Sequence, residues 1–501
     1  MQNHQDDPPP PQTDARDDPP DGGEGWKVVF GSTLALFATT GVINAYGFFQ
    51  SFYTDYLLDD SSSTTIAFIG ALQISLVYAG GPISGRIFDA YGIRPLLPIG
   101  SFLVVLSIML TSILQRNRPY QFFLVQGILS GVGNSMLFTP SLAVIGHWFK
   151  RRRSYALGIV VAGSSLGGVV YPIILSQLKH AVGFPWAVRI CGFLTMICLL
   201  VTNLTISSRV QPSKEVGLAK LIDLAGFRDL RYVLAIVGSM LYFFALFIPY
   251  FYIEEYAKFY GVDPRVASFL LALINGCGVP ARVIPGLLAD TYGIIKILAP
   301  ATFLSGVFVL ALWLPAKTPS SIVAFSALYG LCSSSFVSML PAYITSITPV
   351  ANIGGRLGIV YFHVAIACLA GTPAAGAFVP EFSEKNFNRL IIFTGVMLIA
   401  SSVFIGGVGL VKGRDGMRGG EGPVEVEEEK DGGDEEKRDL EAGMGGGIEG
   451  GVGTGTGLGE RTDSTSVGET DTAVPSMCRA LSPFLSSFLF FTYFFDVLQH
   501  P

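Results

Sequence analysis

The sequence predicts an all-α membrane protein whose twelve transmembrane helices fall into two pseudo-symmetric six-helix halves, and three observations carry that prediction. Half of the 501 residues are hydrophobic and 14% are charged, with a mean hydropathy of +0.51. So few charges cannot cover a soluble protein of this size, and a bilayer must solvate the chain. Twelve apolar stretches follow one another, each long enough to cross about 30 Å of hydrocarbon. Finally, the string GRIFDAYG at 85–92 returns as GLLADTYG at 286–293. Gly85/Gly286, Asp89/Asp290, Tyr91/Tyr292 and Gly92/Gly293 share an offset of 201 positions, and so do Pro140 and Pro341. A register kept over two regions of about 200 residues marks a duplicated unit.

Residues 1–25 are rich in Pro and Asp and lack the basic start and short apolar run of a cleaved signal peptide, so they read as a disordered cytoplasmic tail. The first half, 26–207, holds spans beginning near Val28, Thr64, Leu96, Gln121, Ser154 and Trp186. A polar stretch at 208–230 is the expected cytoplasmic linker. The second half, 231–411, holds spans beginning near Tyr232, Val266, Ile295, Ile322, Gly354 and Asn388. Gly and Pro inside these spans are tolerated because neighbouring helices satisfy the freed backbone groups. Residues 412–501 turn Gly- and Glu-rich, a composition that cannot bury enough apolar surface to offset chain entropy, and are expected to be a low-complexity cytoplasmic tail. The Phe-rich run at 481–498 is interrupted by Pro483 and Asp496, which favours an interfacial segment over a thirteenth span.

Basic residues in short loops set the orientation. With both termini inside, the inner loops collect 13 Lys and Arg, among them Arg86, Arg94, Lys150 to Arg153 and Arg356. The outer loops hold nine, and the first carries Asp55, Asp59 and Asp60 with no base. Both ends are therefore expected in the cytoplasm and the chain at the cell membrane.

Other function classes find little support. The net charge of −5 comes largely from the tails and argues against nucleic-acid binding. Six scattered cysteines indicate neither a disulfide framework nor a metal knuckle. The five histidines are too dispersed for a metal or catalytic cluster, and no phosphate-binding glycine loop of the Gly-x-x-x-x-Gly-Lys-Ser type is present. No enzyme activity, cofactor or metal is expected. Duplicated helical bundles of this kind form carriers, with the substrate site near the midplane where the halves meet.

The repeated Gly-x-x-x-Asp-x-x-Gly lies between spans 2 and 3 and again between spans 8 and 9. Gly85 and Gly286 permit close helix approach, while Asp89 and Asp290 can accept from helix N-termini or pair with Arg in one state of a cycle. Together with Arg94 they are expected to latch the inner face while the site faces outward. A plain tight turn with a capping Asp is the simpler alternative.

On these residues the chain resembles the major facilitator superfamily, whose signature loop reads Gly-x-x-x-Asp-Arg-x-Gly-Arg-Arg; Gly85, Asp89, Gly92 and Arg94 match, and Ala90 replaces the usual base. PDGGEGWKVV at 20–29 and WFKRRRSYALGIVVAGSSLG at 148–167 are similar to signatures of its monocarboxylate porters, and GVINAYGFFQ at 41–50 and LFIPYFYIEEYA at 246–257 resemble the fungal branch. The resemblance implies a secondary carrier whose halves rock around a central cavity. It also implies a proton-coupling Lys in span 1 and an Asp four residues before an Arg in span 8. This chain has Asn44 and Gly278 at those positions, whereas Arg282 is retained.

Arg282, placed about six residues or roughly 9 Å inside the end of span 8, is the first candidate for substrate binding. A charge at that depth costs at least about 2 kcal/mol unless paired or wetted, so it normally faces a cavity. Its planar fork suits a carboxylate; snorkelling to the surface or pairing with Asp290 is the alternative. Asn44, Asn275 and His363 are the other substrate-binding candidates, His363 as a group able to shuttle a proton or as a packing residue. Gln73, Gln126 and Asn134 can contact substrate or bond a neighbouring helix. Lys150 to Arg153 read as a topology anchor beside anionic lipid headgroups. Gly163 and Gly167 favour close packing of span 5, and Ser164 stands where an antiporter motif has Pro.

The expected function is secondary-active or facilitative transport of a monocarboxylate or other organic anion by alternating access, with protons as a candidate coupling ion and a monomer as the working unit. Efflux of an acidic fungal secondary metabolite is the alternative direction. A sensor-like homologue that binds but moves nothing is a rival of another class, and flux in liposomes separates the two.

Overall fold

The computed structural model describes residues 19–209, 224–379 and 381–411, and among these every long element is helical. In chain order the helices are α1 (Gly25–Leu57), α2 (Thr64–Tyr91), α3 (Leu96–Thr111), α4 (Pro119–His147), α5 (Arg153–Ala181) and α6 (Phe184–Thr205). After the linker come α7 (Leu230–Phe259), α8 (Pro264–Tyr292), α9 (Ile294–Trp313), α10 (Pro319–Ser346), α11 (Val350–Phe378) and α12 (Glu384–Val408). Eleven are long and apolar enough to cross a membrane, and α3 is the short one, with 16 residues. The expected twelve spans are thus all present as helices. The tails at 1–18 and 412–501, including 481–498, and the linker core at 210–223 lie outside the described residues.

Local chemistry fixes several starts. Asp263 accepts from Arg265 N ahead of Pro264, and Asp229 accepts from Arg231 N, at 2.8 and 2.9 Å. Thr318 and Ser321 bond reciprocally in a capping box at the head of α10. The repeated strings, expected between spans, are instead the closing turns of α2 and α8. Both helices stop at a glycine of positive φ, Gly92 at 75° and Gly293 at 96°, a conformation other residues adopt only with strain. Because α8 runs on to Tyr292, Arg282 lies ten residues (292 − 282) from its end, about 15 Å at 1.5 Å per residue. That is deeper than the sequence reading placed it.

Helices joined by short loops alternate in direction, so the ends of α2, α4, α8 and α10 share one face with the starts of α5, α7 and α11. We call it the linker face. The first six helices pack chiefly among themselves, as do the last six, and the halves meet along two seams, α5 against α8 and α2 against α11. Lipid tails are as apolar as leucine, so these seams must hold by close approach rather than by a hydrophobic drive. Glycines supply it. A Cβ on Gly85 would run into the carbonyl of Gly354, and one on Gly286 would come within 2.5 Å of Ser154 O. Gly163 meets Thr33 and Gly167 meets Phe37 and Gly41 in the same way, which presses α5 onto α1. Large apolar side chains such as Phe102, Leu200, Phe269 and Val403 face outward, where the bilayer takes the place of a protein partner.

α1 is interrupted beside the centre of the bundle. Its helix breaks at Thr39 and again at Ala45, so Thr40 and Asn44 sit on a short segment of their own. Discontinuous helices of this sort are tolerated at membrane depth where they line a cavity.

Candidate functional site

Two cross-braces close the linker face. The Asp89 carboxylate, at the end of α2, accepts from Gly354 N at 2.9 Å and Gly355 N at 2.7 Å, where the regular helix of α11 begins at Ile353 in the other half. Asp290, at the end of α8, accepts from Ser154 N and Tyr155 N, both at 2.9 Å, at the head of α5. Each half thus lends a carboxylate to amides near the N-terminus of a helix in its counterpart, where the helix dipole favours negative charge. The two contacts are copies: 85 pairs with 354 as 286 pairs with 154. Arg153 adds a third tie, donating from Nη1 to Thr345 O of α10 at 2.7 Å while its Nε holds Phe149 O of its own half at 3.0 Å. Arg94 plays no part in these contacts; it is exposed at the head of α3.

Sequence reasoning missed Asp21. Its Oδ1 accepts from Lys150 N, Arg151 N and Arg152 N at 2.7, 2.8 and 3.3 Å, and its own N donates to Trp148 O at 3.1 Å. Trp26 packs edge-on against Phe149 and Tyr155, with ring centroids 5.0 and 6.0 Å away. The segment before α1 therefore fixes the loop that leads into α5, and with it the amides that Asp290 engages. The basic cluster divides accordingly: Lys150, Arg151 and Arg152 are exposed, whereas Arg153 turns inward.

Above the latches, between the halves, lies a small cavity that opens to solvent, with about 480 Å³ of space not filled by atoms when the open solvent is included. From the first half come Leu36, Thr40 and Asn44 of α1, Tyr78 of α2, Phe138 of α4, and Val161 and Ser164 of α5. From the second come Phe243, Leu246, Phe247 and Tyr250 of α7, Arg282 of α8 and Val337 of α10. Arg282 is the one charged side chain among these thirteen, and it is 4% exposed. Its Nη1 donates to Val161 O at 2.9 Å and to Ser164 Oγ, so the guanidinium reaches from α8 across the seam to α5. Ser164 Oγ in turn donates to Val161 O at 2.8 Å. Arg282 Nε is buried and has no partner among the described residues. Neither snorkelling nor a pair with Asp290 is what this side chain does. Ser164, noted in the sequence only for a motif it fails to match, is its direct partner.

Asn44 lines the cavity and donates from Nδ2 to Ser164 O at 3.1 Å. Asn275 does not line it; fully buried two turns before Arg282, it donates to Leu271 O, and its Oδ1 has no partner among the described residues. The two asparagines nonetheless meet over Gly168, where an added Cβ would touch Asn44 Cβ at 2.9 Å and Asn275 Oδ1 at 3.0 Å. His363 lies elsewhere. Its Nδ1 donates to Ile359 O of its own helix at 2.8 Å, and the ring sits 6.0 Å from Phe227 of the linker, not on the cavity wall. Apolar periodicity could not say which face of α11 it occupies, and the structure does not bring it to the cavity with Arg282. Gln73 of α2 donates to Ser130 of α4 and Gln126 of α4 accepts from Tyr53 Oη of α1 at 2.6 Å, so these two tie helices together within the first half, while Asn134 bonds Ser130 of its own helix.

Residues 28–321 and 260–495 match the Major Facilitator Superfamily. MFS-type transporter 1 of an Ophiocordyceps species is 38% identical over 401 residues, covering 78% of this chain and 88% of that protein. The Fujikurins efflux protein of Gibberella fujikuroi is 34% identical, over 77% of this chain and 83% of its own. The Aspyridones efflux protein of Emericella nidulans is 32% identical, with 78% and 79% covered. Among solved structures, a human organic anion transporter superposes with a TM-score of 0.63 at 15% identity, covering 77% of this chain and all of that one. A proton:xylose symporter superposes at 0.62 and 13%, covering 76% and 95%. At such identities these two speak for the fold alone. With twelve helices in two halves, cross-braced on one face around a cavity between them, the chain belongs to the Major Facilitator Superfamily of membrane transporters.

Proposed function

We propose that this transporter moves an organic anion across the cell membrane by alternating access, in the direction of efflux, as a monomer with both termini in the cytoplasm. One observation carries the choice of cargo: the cavity between the halves holds a single buried guanidinium, with Nε unpartnered and no acidic side chain on the same wall. A carboxylate or enolate brought to Arg282 would complete its hydrogen bonds and share the cost of its burial. The basic loops favour a cytoplasmic linker face, and on that reading the braced conformation is closed to the cytoplasm. Efflux rests on the relatives named for it in Gibberella and Emericella.

Arg282 Nη1 meanwhile bonds Ser164 Oγ and Val161 O across the α5–α8 seam, so the empty site already lends it acceptors of its own. Arrival of an anion at the same group competes with that bridge. Binding and movement of the halves are therefore linked through one side chain.

The resemblance to monocarboxylate porters bears on coupling. Where those carriers place an Asp, Gly278 is wedged between α5 and α10: an added Cβ would lie 2.5 Å from Ser334 Oγ and 2.9 Å from Ser165 Oγ. Any side chain there would have to displace both hydroxyls, and Gly278 itself carries no titratable group, so we assign movement of the anion without a proton relay at that position.

Efflux from proteoliposomes loaded with aromatic and aliphatic acids tests the reading. Arg282→Ala should lower anion affinity at least about tenfold, the value of one charge-assisted hydrogen bond, and Arg282→Lys should recover part of it. Unchanged affinity in Arg282→Ala would remove Arg282 from the site.

A further inference from the structure

Arg282 sets one end of the cavity; the remaining wall decides what the anion is attached to. Five of the thirteen lining residues are aromatic: Tyr78, Phe138, Phe243, Phe247 and Tyr250. Phe243, Phe247 and Tyr250 occupy successive turns of one face of α7, with neighbouring ring centroids 6.3 and 6.0 Å apart. Tyr78 stands edge-on to Phe243 at 5.7 Å and 71°, and to Phe138 at 5.4 Å and 76°.

A second rank holds these rings in place. Tyr361 stacks on Tyr78 at 5.4 Å and 13°, and Phe336 packs edge-on to Phe243 at 6.1 Å. The front rank is therefore a fixed set of ring faces and edges, not a pliable apolar lining. Two of its members, Phe247 and Tyr250, remain only half-buried, while Tyr78, Phe138 and Phe243 behind them are buried. Ring packing alone would account for a buried aromatic core; it does not account for rings left partly uncovered on the wall of a cavity that also presents an unpartnered guanidinium nitrogen. Aromatic rings favour another ring, edge-to-face or offset, over a saturated group of the same area.

We propose that the transported anion is an aromatic or otherwise planar conjugated acid, its ring held among Tyr78, Phe243, Phe247 and Tyr250 and its acid group against Arg282. This rests on the organic-anion reading above and specifies the body of the cargo rather than its charge.

The test uses the full chain in lipid nanodiscs and equilibrium binding of four probes: 2-naphthoate, its saturated counterpart decahydro-2-naphthoate, 2-naphthamide and decahydro-2-naphthamide. Naphthoate should bind at least about tenfold tighter than decahydronaphthoate, the contribution of one or two ring pairs. Phe247→Leu and, separately, Phe243→Leu should narrow that gap while leaving the preference for acid over amide. Equal affinity of the two acids overturns the aromatic assignment and leaves the anion reading standing. Equal affinity of naphthoate and naphthamide overturns the anion reading, while the two amides still report the ring preference on their own. Failure of naphthoate to bind at millimolar concentration overturns both.

Discussion

Replacing Asp89 with Asn takes a charge and one of two acceptors from a side chain that is 9% exposed, and leaves its size unchanged. The carboxylate holds Gly354 N and Gly355 N at 2.9 and 2.7 Å. Hydrogen bonds to charged groups contribute about 1.5–3 kcal/mol each and neutral ones about 0.5–1.5. Asn keeps one acceptor and turns its NH₂ toward the other amide, donor against donor. When the linker face opens, water can satisfy the released amides, so the lower part of that range applies. A loss of about 2–3 kcal/mol remains, which shifts the ratio of closed to open linker face by roughly 30- to 150-fold. Asp290 still holds the second brace, and its own replacement should act in the same direction. Pulsed electron resonance between one spin label on each half at the linker face, in nanodiscs, reads the populations directly. A distance distribution identical to that of the parent, in a variant that elutes and melts normally, refutes the brace and reduces Asp89 to a helix-terminating residue.

Two further outcomes follow from other residues. Asp21→Ala should free the amides of residues 150–152, seen as at least about tenfold faster hydrogen exchange there, and should weaken the Asp290 brace without touching the cavity; unchanged exchange would mean that Trp26 alone fixes the loop. His363→Ala should leave affinity and transport rate within about twofold of the parent, as expected for a half-buried residue off the cavity wall, and a larger loss of transport would return the residue to the substrate path.

The architecture was legible because it rests on quantities a sequence displays, namely the length of apolar runs and a fixed offset between copies. The seams keep that symmetry, since Gly85 and Gly286 occupy matching crossings. The cavity breaks it: Arg282 is the 201-offset counterpart of Gly81 (81 + 201), so one copy brings a backbone contact where the other brings a charge. A charge set deep in an apolar span is what singled out Arg282 in the sequence. Helix ends were harder, because Gly-x-x-x-Asp-x-x-Gly suggests a turn while its first seven residues continue a helix as far as Gly92 or Gly293. Asp21 was invisible since its partners lie 129 to 131 residues away and are backbone amides, which carry no side-chain signature. Ser164 and His363 could not be placed for one reason: on a helix apolar all round, composition does not tell the inner face from the outer.

The bonds from Arg282 to Val161 and Ser164 have a bearing on the unloaded leg of the cycle. A bare cation sealed between the halves would make the vacant carrier expensive to turn around, which is the condition for an obligatory exchanger. Here a carbonyl and a hydroxyl from the protein already bond Nη1, which lowers that cost and favours return of the empty carrier. One-way discharge, with no counter-load to collect, is then open to it.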